Sequence, residues 1–159
     1  MYRTAIFAIA LVSSTAAISA SRAQFLNKAT KGNYSEVTLG RLIQTRGASP
    51  AVRSFGAMLV RDHSNGLSQA RAIAGRYRIP VSVTLTPEAR REHRLLNHLR
   101  GRAFDREVRR YMINDHLKDI AEFRAQARSG ERATSGYARA TVPVMEHHLV
   151  MAKELKGNQ

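Results

Sequence analysis

The 159-residue chain contains no cysteine. That excludes disulfide bridges, thiolate metal ligands and a lipid-modified cysteine. A small domain without disulfides must hold together by packing alone. No Gly-rich phosphate loop occurs, and no nucleophile elbow supports Ser-His-Asp chemistry. Glu-x-x-His, the pairing used by di-iron carboxylate bundles, is also absent. No residue is therefore assigned to catalysis. The most apolar stretch, AIFAIALV at 5–12, is too short to span a bilayer.

That stretch follows Arg3 and precedes the small residues SSTAAISASRA, with Ser21 and Ala23 at −3 and −1 to a cut before Gln24. The pattern is that of a cleaved signal peptide over residues 1–23 and a mature domain over 24–159, periplasmic or secreted. A cut after Ala20 and an uncleaved tether are the alternatives.

Acids are scarce. There are 12 Asp and Glu against 26 Lys and Arg, a net charge of +14. Removing Arg3 and Arg22 with the leader leaves +12. Such a charge favours anionic envelope surfaces such as lipid headgroups. The densest basic run, 90–110, holds eight Arg, but Glu88, Glu92, Asp105 and Glu107 interleave with them. That is a solvated helix face, and it carries no aromatic stacking platforms, so specific nucleic-acid binding is not expected.

Between the few Gly and Pro breaks, the apolar residues recur with a helical period. The expected helices cover 25–45, 50–77, 87–99, 103–127 and 135–155. Ser49-Pro50 and Thr86-Pro87 are cap-then-proline starts. Pro143 predicts a kink or a later start for the last helix. VSVTLT, 81–86, reads as an extended connector. Four long helices with one short helix between the second and third long ones describe an all-α, antiparallel four-helix bundle.

Each long helix places one titratable residue on its apolar face. His63 lies four after Leu59, in LVRDH; His116 lies four after Met112, in MINDH. His148 follows Met145 by three, and Glu36 lies seven from both Ala29 and Ile43. At ~1.5 Å rise per residue, all four fall roughly 15–20 Å from their helix ends. One cluster is expected. It is either a site for iron, manganese, zinc or copper, with Asp62 and Asp115 as outer acceptors for the imidazoles, or a buried polar layer that fixes helix register. His147 reads as exposed, His93 and His98 as solvated, and Asp105 as the partner of an arginine.

AQFLNKATKGNYSEVTLGRL, SPAVRSFGAMLVRDHS, GRAFDREVRRYMINDHLKDIAEF and VPVMEHHLVMAKEL occur in that order. Together they resemble the exported bacterial proteins grouped as domain of unknown function 4142, placed among ferritin-like bundles. The resemblance covers about 24–156. Its motif positions here are Glu36, Gly40, Asp62, His63, Phe104, Asp105, Asp115, His116, Pro143 and His148. It implies a ferritin-like fold and export, with no established activity. LVRDH and MINDH would then be equivalent points on two related helical hairpins. The function expected is an exported metal-binding or stress-related envelope protein. The alternative is a structural or interaction protein whose basic surface contacts anionic envelope components.

Overall fold

A computed structural model describes residues 6–155, and the side chains of residues 17–155. Among them every regular element is helical: α1 (Ile6–Arg46), α2 (Pro50–Arg76), α3 (Pro87–His98), α4 (Gly101–Ala127) and α5 (Arg132–Glu154). None is long and apolar enough to cross a membrane.

The starts follow local chemistry. Ser49 Oγ accepts the Val52 N–H at 3.2 Å, and Thr86 Oγ1 accepts the Ala89 N–H at 3.1 Å. A proline follows each cap, where a missing N–H costs nothing. Gly101 opens α4 at φ +57°, a left-handed conformation that suits glycine. The start of α5 lies three residues before the expected one, because Glu131 caps it by accepting the Thr134 N–H at 2.8 Å. The helix then continues through the exposed Pro143. The connector 77–86 is irregular and laced to α1, with Ser82 N–H on Asn27 Oδ1 and Thr86 N–H on Ser35 Oγ.

The first helix is longer than its expected 25–45 span. Residues 6–24 contain no Gly or Pro, so nothing in them interrupts it. The cut expected before Gln24 falls inside α1, and residues 1–5 of the expected leader lie outside the described residues. Arg22 forms a 2.8 Å ion pair with Glu131 and stacks over the Tyr77 ring at 3.8 Å.

α1 packs along α2 and α4 along α5, while α2 also meets α5. Gly40 and Gly56 allow the first pair its close approach. A Cβ on Gly40 would stand 3.0 Å from Gly56 O, and one on Gly56 would stand 2.8 Å from Gly40 O. Asp105 of α4 reaches the 47–49 turn and accepts the N–H groups of Ala48 and Ser49 at 2.8 and 2.9 Å. The arginine expected beside Asp105 is replaced by backbone donors, a better match for a buried carboxylate.

The core has two apolar halves. One gathers Leu39, Phe55, Leu59, Phe104 and Met112; the other gathers Ala70, Ile120, Phe123, Tyr137 and Met145. His63, His116 and His148 fall between these groups along α2, α4 and α5, so a polar layer separates them.

Candidate metal centre

The stripe positions of α2, α4 and α5 bring three imidazoles together. Ring centroids are 5.1 Å apart for His63 and His148, 5.4 Å for His116 and His148, and 5.9 Å for His63 and His116. One nitrogen from each ring lies within 4.8 Å of those from the other two. All three residues are buried.

Their outer partners fix which nitrogens carry protons. His116 Nδ1 faces the Met112 carbonyl oxygen at 3.0 Å, so Nδ1 donates and Nε2 keeps its lone pair. His63 Nδ1 faces Asn33 Oδ1 at 3.1 Å. The Asn33 amide is oriented by its own donors, since Nδ2 donates to Ala29 O at 2.8 Å and to Tyr137 Oη at 3.0 Å. His63 therefore donates from Nδ1, and its buried Nε2 is left without a partner. His148 Nε2 faces Asp62 Oδ2 at 3.0 Å and donates to it, which leaves Nδ1 unprotonated. That nitrogen lies 3.3 Å from His116 Nε2. Two lone pairs thus face each other inside the cluster.

Burial keeps the rings neutral. It holds His63 well below the ordinary imidazole range, with the neighbouring His116 and His148 adding to the effect. It takes His116 down to about 3, His148 contributing second. His148 is lowered less, because Asp62 opposes the burial. Neutral imidazoles with oriented lone pairs need no deprotonation to act as ligands.

Glu36 of α1 stands beside the rings, its Oε2 3.9 Å from His63 Nε2. Both of its oxygens are buried without a close hydrogen bond, beside the carboxyl of Asp115. Burial first, then the charges of Asp115 and Asp119, hold its carboxyl well above the usual range. A poorly partnered buried carboxyl and an unpartnered imidazole nitrogen side by side each carry a desolvation penalty that a shared cation would relieve. Bonds of ~2.1 Å to a tetrahedral ion set a ligand separation of roughly 3.4 Å. His116 and His148 already stand near that distance. The donors present therefore fit a transition-metal ion.

The two Asp-His phrases differ in use. Asp62 serves His148, across a helix boundary. The neighbours of Asp115 are Glu36 and Tyr111, and no histidine is among its hydrogen-bond partners. His147 is exposed; His98 is exposed and His93 half-buried, both away from the cluster on α3. Asn33 and Tyr137 are the residues that sequence reasoning missed. Asn33 sits four before Val37 and three before Glu36, so its inward phase was readable in the α1 pattern, though its partner was not.

Among the described residues these features define a five-helix arrangement with a buried three-histidine layer. A family model described as "Domain of unknown function (DUF4142)" matches residues 9–155, and the chain belongs to that family. No curated protein and no solved structure matches it.

Proposed function

We propose that this protein binds a transition-metal ion through His63, His116 and His148, with Glu36 as the adjoining carboxylate. The carrying observation is the outer hydrogen bonding. Asn33, the Met112 carbonyl and Asp62 each take one ring N–H, which turns an unprotonated nitrogen of every ring away from its outer partner. Neutral imidazole suits zinc, copper and iron(II), and the carboxylate extends the range to manganese. Asp62 is the outer acceptor in this reading. Asp115 is not needed for that role.

The scaffold of the proposal is an antiparallel four-helix bundle of the ferritin-like kind, with α3 as the added short helix. Short connections at 47–49 and 128–131 and the α1–α2 and α4–α5 pairings support it. The leader-like residues 1–23 support export to the periplasm, with a cut before Gln24. Such a cut would remove Arg22 from Glu131 and Tyr77, so intact-mass measurement of the protein from a cell envelope distinguishes a cleaved chain from a tethered one.

The metal reading is tested by elemental analysis of protein purified without a histidine tag, beside His63→Ala/His116→Ala. About one transition-metal ion per chain, lost in the variant, is expected. Circular dichroism checks that the variant is folded, and His148→Gln serves if it is not. No metal in the wild type after incubation with iron, manganese, zinc and copper would leave the histidines as a register-fixing polar layer.

A further inference from the structure

The eight arginines of 90–110 are all exposed, and the acids that alternate with them in sequence do not offset them on the surface. Glu92 and Asp105 are turned inward, 5% and 7% exposed. Glu88 is taken by Arg91 and Glu107 by Arg110. Arg90, Arg94, Arg100, Arg102, Arg106 and Arg109 have no carboxylate partner among the described residues.

The fold gathers most of these charges, and others, at one end of the helices. Arg46, the last residue of α1, donates to Asn97 Oδ1 at 3.0 Å and to Leu99 O at 3.1 Å, which ties the end of α3 to it. Asp105 holds the first turns of α4 against the 47–49 turn. Arg109 donates to Lys153 O at 3.3 Å and brings in the end of α5. Arg53 donates to Gly47 O and Ala48 O at 2.8 and 2.9 Å, and Arg100 to Asn97 O and Leu99 O at 2.8 and 2.7 Å. These acceptors are neutral carbonyls. They fix the guanidinium groups, leave the charge uncompensated, and leave further N–H donors unused. Glu154 is exposed at this end. At the opposite end carboxylates pair with the cations: Arg22 with Glu131, Lys28 with Glu122 and Arg124 with Glu146.

We propose that this arginine pole docks on an anionic phospholipid surface. Guanidinium groups match phosphate oxygens in a bidentate fork, and a plane of headgroups meets the whole pole at once. Leu95 stands beside Arg91 and Arg94 on the outer side of α3, 43% exposed. An apolar side chain among arginines has a place at the boundary of headgroups and acyl chains, and none on a bare phosphate backbone. Among the described residues no Phe or Tyr is exposed at this pole, so unstacked bases find no platform. The docking needs no metal in the histidine layer.

The test is co-sedimentation of the full chain with vesicles of equal parts phosphatidylglycerol and phosphatidylcholine, and with vesicles of phosphatidylcholine alone. Arg94→Gln/Arg102→Gln/Arg106→Gln discharges the pole at exposed residues that hold no side-chain partner among the described residues. Arg71→Gln/Arg76→Gln/Arg128→Gln removes the same charge from exposed residues toward the opposite end. Wild type and the second variant are expected to bind the anionic vesicles alike, with added salt releasing both. The pole variant is expected to bind at least tenfold more weakly. Arg102→Gln/Arg106→Gln replaces it if circular dichroism shows the triple variant unfolded. Wild type that stays in the supernatant overturns the proposal, as does equal binding to phosphatidylcholine alone. Equal losses in the two variants would mean that net charge acts without a pole, and overturn it too. A DNA duplex that displaces the vesicles at equal phosphate concentration would give the pole to nucleic acid and overturn the lipid reading.

Discussion

Asp62 of α2 and His148 of α5 meet at 3.0 Å, Oδ2 to Nε2. This contact sets the tautomer of a buried ring. Asp62 is itself gripped by Arg61, at 2.7 Å, which helps to keep it ionised. An ionised acceptor holds the proton of His148 on Nε2 and leaves Nδ1 bare toward His116. Without Asp62, Nδ1 would take a proton and donate it to His116 Nε2, closing the lone-pair face.

Asp62→Ala is therefore expected to weaken metal binding by about 10- to 100-fold while His148 itself stays in place. Competition against a zinc-chelating indicator measures it. Asp62→Asn, which keeps an acceptor oxygen, should lose less. Equal affinity in wild type and Asp62→Ala would mean that His148 is not a ligand.

Gly66 of α2 packs against the support of His63. A Cβ at this position would collide with Asn33 Oδ1, the acceptor for His63. Tyr137 also donates to the Gly66 carbonyl at 3.2 Å, so the segment is held from two sides. Gly66→Ala should push the Asn33 amide away and free the His63 ring to rotate. Weaker metal binding is expected, together with a loss of about 1–3 kcal/mol in urea unfolding. A variant as stable and as metal-avid as wild type would show that Asn33 does not orient His63.

The histidine layer was legible because each ring obeys a local rule: three or four residues from a large apolar neighbour on the same helix. Leu59, Met112 and Met145 announce His63, His116 and His148. What supports the layer was not legible, because it comes from elsewhere in the chain. Asn33 and His63 are 30 residues apart, and Asp62 and His148 are 86 apart. The same limit applies to Asp105, whose helical phase shows an inward acid while its donors lie 56 and 57 residues away. The length of α1 was hidden for another reason. Its first turns carry a leader-like composition that also propagates a helix.

Asp105 offers a control that should disturb the fold without touching the metal. Asp105→Ala orphans the Ala48 and Ser49 N–H groups at the α1–α2 turn. A cost of about 1–3 kcal/mol is expected for two charge-assisted bonds in a partly buried place. Zinc affinity of the folded fraction should be unchanged. A loss below roughly 0.5 kcal/mol would mean that water replaces the carboxylate.

Glu92 gives the pH dependence. It lies on α3, 5% exposed, with Oε1 unpartnered and Oε2 3.6 Å from Arg110 Nη2. Arg110 makes its closer contact with Glu107, so Glu92 is poorly compensated. Burial first, then the Glu107 charge, push its carboxyl from 4.5 up to about 7. Between those values the folded chain holds a proton that the unfolded chain has released. Stability from this residue is thus complete below about pH 4.5, falls as pH rises toward about 7, and is flat beyond. The full change is on the order of 3 kcal/mol at most. Glu92→Gln keeps the shape and removes the titration, so the variant should gain on wild type across that window in urea unfolding. A stability difference that stays constant with pH would show that Glu92 is ionised throughout and that Arg110 compensates it after all.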